Sequence, residues 1–140
     1  MSKILIVYWS ATGNTEKMAE LIEQGAKAAG ADVTLKAVAD ASPADLDGFD
    51  TVVLGCPSMG AEELDPEMEE FVAAISGSLS GKKLALFGSY DWGDGEWMRN
   101  WYVQMEQTGA QLVQSEGLIV QLMPEGEAEE QCTALGASLA

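Results

Sequence analysis

The amino-acid sequence predicts an α/β fold in which a parallel sheet carries helices on both faces. Two observations predict it. Apolar runs of strand length alternate with segments of helical period along the chain. Three of those runs are apolar at nearly every position, as strands buried on both faces are. A chain of 140 residues is long enough for one full α/β core and short for two, so residues 1–140 read as one domain.

The first run, Lys3 to Trp9, is apolar from Ile4 onward. The chain then turns at Gly13, and Met18, Leu21, Ile22, Gly25, Ala26 and Ala29 recur at the spacing of one helix face. A second run, Asp32 to Ala37, leads to a short helical turn capped by Ser42-Pro43. The third run, Thr51 to Cys56, precedes a helix started by Asp65-Pro66, with Met68, Phe71, Val72 and Ile75 on one face. The fourth, Lys83 to Gly88, precedes a helix beginning near Asp94 with Trp97, Trp101 and Met105 four residues apart. An interrupted pair, Gln111 to Ser115 and Leu118 to Gln121, supplies the fifth strand, and a last helix presents Cys132, Leu135, Gly136 and Leu139. The first, third and fourth runs are the most uniformly apolar and belong at the centre of the sheet.

Composition excludes several function classes. The formal net charge is −16, from 23 acidic and 7 basic residues, which disfavours nucleic acid and anionic membranes and favours a basic partner. The chain has no histidine, so Ser-His and Cys-His catalysis and His-ligated metal sites are out of reach, and no metal is expected. Cys56 and Cys132 lack CxxC spacing and read as reduced core thiols. No apolar run reaches the roughly 18 residues that span a bilayer, and the N-terminus opens a strand instead of a signal peptide. A soluble, cytoplasmic monomer is the expectation.

In doubly wound sheets the ligand lies beyond the carboxyl ends of the strands, where the strand order reverses. After the first strand come Ser10, Ala11, Thr12, Gly13, Asn14 and Thr15. A helix N-terminus following a strand offers unpaired N–H groups and the positive end of the helix dipole to an anion. Hydroxyl and amide side chains add donors. No Lys or Arg lies in the loop, so it is not a GxxxxGK[ST] triphosphate loop but a neutral cradle for one phosphate. The same residues also fit an ordinary Thr/Asn-capped helix. After the third strand come Pro57, Ser58, Met59, Gly60, Ala61 and Glu62, and after the fourth Ser89, Tyr90, Asp91, Trp92 and Gly93. Trp92, flanked by Asp91 and Gly93, suits a loop that holds an aromatic ring over a flat ligand, or one that caps the sheet edge. Gly60 turns freely between positive and negative φ. The three loops converge on a site with phosphate donors at one end, an aromatic surface at the other, and a flexible peptide and a carboxylate between them.

Three segments, Tyr8 to Thr15, Gly55 to Gly60 and Leu86 to Gly95, each following its strand, carry a family resemblance. From end to end the chain resembles the short-chain flavodoxins of the clostridial and rumen-bacterial type. The resemblance implies a five-stranded sheet in order 2-1-3-4-5 and one non-covalent FMN that shuttles single electrons between redox enzymes. It implies an electron carrier and not an enzyme. By the same resemblance Ser10 to Thr15 hold the FMN phosphate with support from Ser89, Ser58 to Glu62 line the isoalloxazine, and Trp92 stacks on its outer face. Pro57, Tyr90, Asp91 and Gly93 complete the implied site. Asp91 stands where close relatives usually have Gly, and Ala61 where Asp or Ser is frequent, which touches the redox potentials more than FMN binding.

A one-electron carrier has to stabilise the ring with a new N–H at N5, and the Gly60-Ala61 peptide is the candidate acceptor because Gly60 tolerates the φ change. Glu62 is the candidate acceptor for the ring N3–H. Six acids in the nine positions Glu62 to Glu70 read either as a solvated helix face or, with Asp91, Asp94 and Glu96, as an acidic surround that steers basic redox proteins into brief contact. A receiver domain needs aspartates where Tyr8-Trp9 and Cys56-Pro57 stand, and a low-molecular-weight phosphatase needs an Arg closing the loop after Cys56; neither is present. The alternative that remains is an FMN-dependent reductase of a small substrate such as a quinone, which needs an open ring face.

Overall fold

The computed structural model describes residues 2–11, 13–59 and 62–140. In chain order the elements are β1 Lys3–Tyr8, α1 Asn14–Ala28, β2 Asp32–Ala37, β3 Thr51–Gly55, α2 Pro66–Ile75, β4 Lys83–Tyr90, α3 Glu96–Glu106, β5 Gln111–Leu112, β6 Leu118–Gln121 and α4 Glu127–Leu139, with short 3₁₀ turns at Val38–Asp40, Pro43–Leu46 and Ser76–Ser78. All strand pairs are parallel, and the order is β2-β1-β3-β4-β5, with β6 also paired to β4. Order and central strands agree with the sequence reading.

Side-chain alternation on the central strands builds two cores. Ile4 and Ile6 of β1, Val53 of β3 and Ala85 and Phe87 of β4 pack with Met18, Ile22, Ala26 and Cys132 on the α1/α4 face. Leu5, Val7, Val52, Leu54, Leu84 and Leu86 point the other way, into Met68, Phe71, Ile75, Trp97 and Trp101 of α2 and α3. Both faces of these strands are covered, so they read as continuous apolar runs. The α1–α4 contact depends on two glycines. A Cβ on Gly25 would lie 2.0 Å from the Thr133 carbonyl oxygen, and one on Gly136 would lie 2.0 Å from that of Ile22. Glycine therefore lets the two backbones touch.

Several boundaries differ from the sequence reading, each for a tertiary reason. The fifth strand, expected over Gln111 to Ser115, ends at Leu112. Beyond it the Gln114 side chain turns in, and its Oε1 accepts from the Leu86 N–H at 2.8 Å, taking the place of a strand carbonyl. Tyr102 holds that detour by donating its hydroxyl to the Gln114 carbonyl at 2.5 Å. The interrupted pair is thus two short strands that share the fifth position, β5 along Lys83 and Leu84 and β6 along Phe87 to Tyr90 of β4, which brings the strand count to six. β4 runs on to Tyr90, two residues past the expected end, because β6 pairs with Phe87 to Tyr90. Trp9 and Cys56 lie just past their strands, although ladder bonds continue from Trp9 N to the Gly55 carbonyl and from Cys56 N to the Phe87 carbonyl. The helix expected near Asp94 begins at Glu96, and Ala29 and Leu135 fall outside the fully buried sets of α1 and α4.

Candidate functional site

The carboxyl ends of β1, β3 and β4 carry the three loops to one rim, and backbone bonds tie the loops together beyond the strands: Ser58 N donates to the Ser89 carbonyl at 3.0 Å. A cleft of about 170 Å³ opens there, lined by Ser10, Ala11, Asn14 and Thr15 from the first loop, Pro57, Ser58 and Met59 from the second, and Ser89, Tyr90 and Asp91 from the third.

At the closed end, the Ser10 hydroxyl oxygen accepts from Gly13 N at 3.1 Å and Glu16 N at 3.3 Å. Gly13 takes φ 95° as N-cap of α1, and the first helical bond runs from Lys17 N to its carbonyl. The N–H groups of Asn14 and Thr15 have no preceding turn to bond to. They stand at the head of the α1 dipole, beside the cleft that their own residues line. Thr15 and Ser89, both buried, share a 2.7 Å hydroxyl–hydroxyl bond across the two loops. Among the described residues, those at this end, Ser10, Asn14, Thr15 and Ser89, are uncharged. Around the outside, Tyr8 donates to Glu16 at 2.8 Å; partial burial, then that bond and the nearby acids, push the phenol up to about 12.

The second loop is braced from behind. The Trp97 indole N–H donates to the Cys56 carbonyl at 3.1 Å, and Asp65 caps α2 by accepting from Glu67 N at 2.8 Å. Met59 and Glu63 exchange a reciprocal pair of backbone bonds at 2.9 Å. Gly60 and Ala61, with the expected peptide acceptor, lie outside the described residues, as does Thr12.

Glu62 takes φ 56°, unusual for a residue with a Cβ. Its Oε1 accepts from Gly95 N at 3.2 Å and Glu96 N at 3.0 Å, capping the N-terminus of α3. The carboxylate also packs against Gly93, where a Cβ would lie 2.6 Å from its carboxyl carbon. Glu62 thus ties the second loop to α3 and does not line the cleft, and Gly93 and Trp92 do not line it either. Trp92 projects at the outer end with 61% of its surface exposed, while Asp91, Asp94 and Glu96 are exposed around it.

Ten of the residues expected at the site share the cleft, and Gly13 shapes it from the helix cap. Sequence alone does not show that Trp97, Glu16 and the Glu62 carboxylate brace the loops. Trp97 and Glu62 act between elements far apart in sequence, Glu16 reaches back only to the neighbouring β1 and its loop, and the spacing of Trp97 and Trp101 signals only a packed helix face. Among the described residues no group of His, Cys, Asp or Glu is arranged to hold a metal ion, and no helix is long and apolar enough to cross a membrane.

The chain matches the family model described as Flavodoxin over residues 6–136. It is 49% identical over 136 residues to the flavodoxin of Clostridium beijerinckii, covering 96% of this chain and 97% of that one. To the flavodoxin of Megasphaera elsdenii it is 48% identical, covering 96% of each. The solution structure of two-electron reduced Megasphaera elsdenii flavodoxin superposes with a TM-score of 0.89 over 97% of both chains, at 47% identity.

Proposed function

Because the chain belongs to the flavodoxin family, whose members are FMN-binding electron carriers and not enzymes, we propose that the rim cleft is where this chain holds its FMN. The observation that carries the reading is the charge-free end of the cleft. Two helix-N-terminal amides and a ring of hydroxyls face a volume with no basic side chain, which matches a phosphate group held by hydrogen bonds and a helix dipole. When bound, FMN supplies one-electron redox chemistry.

The chain's own residues supply the rest. Asn14 and Thr15 donate to the phosphate, with Ser10, Thr12 and Ser89 positioning the loop around it. Pro57, Ser58 and Met59 form the inner wall and Tyr90 and Asp91 the outer one. Trp92 closes over the ring's outer face and excludes water from it. With FMN bound, the Gly60-Ala61 peptide would be the acceptor for a hydrogen at ring N5, and Glu62, whose Oε1 holds the N-terminus of α3, would offer its second carboxylate oxygen to the ring N3–H. The carboxylates of Glu62 and Asp91 would place negative charge beside the bound ring and so oppose further negative charge on it.

The chain acts as one FMN-binding domain, residues 1–140. Its net charge of −16 supports a monomer steered toward basic-surfaced redox proteins, and two buried free thiols support a reducing compartment, the cytoplasm. Exposed acids around Trp92 favour the carrier over the quinone-reductase alternative, since they recruit proteins rather than a small neutral substrate. Potentiometric titration of the FMN-loaded protein is the test: two separated one-electron potentials, and no reduction by NAD(P)H alone, are expected. A single two-electron wave with direct NAD(P)H oxidation would overturn the carrier reading.

A further inference from the structure

β6 ends at Gln121, opposite Tyr90 of β4, and the next two residues leave the sheet beside the loop that carries Trp92. Leu122 N donates to the Tyr90 carbonyl at 2.8 Å, and the Gln121 side-chain amide donates to the Asp91 carbonyl at 3.2 Å. Pro124, next along the chain, is buried. The turn is therefore held at both ends, yet it displays its apolar groups to solvent: Leu122 is 51% and Met123 43% exposed.

Leu122 also has φ 60°. Gly, Asn and Asp adopt that conformation readily, and a γ-branched residue does so at a cost. An exposed leucine gains little from packing to offset that cost, and such outliers concentrate at functional sites. Trp92, Leu122 and Met123 are three of the five large exposed hydrophobics of the described residues, and the paired strands β4 and β6 bring all three to one rim.

We propose that Leu122 and Met123, together with Trp92, form an apolar pad on which an electron-transfer partner seats, and that the partner is a protein whose own apolar contact is ringed by Lys and Arg. The inference rests on FMN occupying the neighbouring cleft. Charge selects the occupant. Asp91, Asp94, Glu125 and Glu127 are exposed around the pad. From Asp91 to Ala140 the chain has a single basic residue, Arg99, and Asp94 already engages it at 3.0 Å. A second copy of this chain would bring like charge against like. The acids set the encounter rate and fade with salt; the pad supplies the short-range contact that holds the complex in one orientation.

The test uses the FMN-loaded protein and, as probe, a basic c-type cytochrome. Binding of the oxidised protein to ferric cytochrome is measured by calorimetry. Transfer of one electron from dithionite-reduced protein to the ferric haem iron, which becomes ferrous, is followed at 0.1 and 0.5 M salt. Leu122→Asn with Met123→Gln should weaken binding and slow transfer about three- to tenfold, by the same factor at both salt concentrations, with a urea midpoint no lower than that of the parent. Glu125→Gln with Glu127→Gln should instead slow transfer mainly at the lower salt. Unchanged binding in the folded pad variant, a loss that vanishes at 0.5 M salt, or a pad-dependent self-association in sedimentation would overturn the proposal. A protein that takes up no FMN, or passes no electron to the cytochrome, would overturn the cleft reading and the pad with it.

Discussion

Replacing Glu62 by Ala should destabilise the protein even without FMN, because its carboxylate is a tertiary helix cap. Two bonds are lost, from Gly95 N at 3.2 Å and Glu96 N at 3.0 Å. An N-cap is worth about 0.5–2 kcal/mol, and a carboxylate at a helix N-terminus adds about 0.3–1 kcal/mol through the dipole. Glu62 is half-buried, so solvent takes part of the Coulombic share and a net loss of about 1–2 kcal/mol follows. In a domain of this size that lowers Tm by roughly 3–8 °C. Glu62→Gln keeps an acceptor without the charge and should lose about half as much. The assay is urea unfolding of the FMN-free protein followed by circular dichroism, at low and high salt. Glu62→Ala unfolding at the parent's midpoint, in both salts, would refute the capping role and leave Glu62 as a residue of the second loop alone.

Trp92→Ala should weaken FMN and riboflavin alike, by about 1–2 kcal/mol, since a stacked aromatic acts on the ring and not on the phosphate; parallel fluorescence titrations check this, and unchanged affinities would remove Trp92 from the ring. Gly136→Ala should lower stability by about 1–3 kcal/mol in urea, because its Cβ would meet the Ile22 carbonyl oxygen at 2.0 Å and force α4 off α1. Burial pushes the thiols of Cys56 up to about 12 and Cys132 up to about 11, from 9.0, and Tyr8 rises from 10.0 to about 12. The folded protein thus keeps protons that the unfolded chain releases, so the urea midpoint should be level between about pH 7 and 9 and fall from pH 9 toward 12; Tyr8→Phe should soften only the part above pH 10. A midpoint that rose over that range would contradict the burial of all three groups.

Much of this architecture is legible in the sequence because both faces of β1, β3 and β4 are covered, leaving Ile4 to Val7, Val52 to Leu54 and Leu84 to Phe87 apolar without interruption. The loops follow, since ligands gather beyond those strand ends. What stays hidden are contacts whose partners are distant in the chain. Gln114 looks like part of a strand, and only the position of Leu86 N shows why its side chain replaces a backbone carbonyl. Glu62 looks like a ligand contact, and only the position of α3 shows that one of its oxygens is engaged by backbone amides. Gly25 and Gly136 read as small residues on helix faces, although each marks a backbone-to-backbone approach. Leu122 gives no local signal of its φ of 60°, because leucine, unlike Gly, Asn or Asp, does not mark a left-handed position.

Whether neutral donors at the head of α1 hold a phosphate is measured most directly by comparing FMN with riboflavin, which lacks the phosphate, for the FMN-free protein by quenching of flavin fluorescence. Two charge-assisted bonds from the Asn14 and Thr15 amides, at about 1.5 kcal/mol each, give about 3 kcal/mol, so FMN should bind at least about a hundredfold more tightly. The ratio should fall in Thr15→Val, whose lost 2.7 Å bond to Ser89 loosens the cradle. Equal affinities for FMN and riboflavin would contradict the account, because the ordered amides of α1 would then have no phosphate to hold.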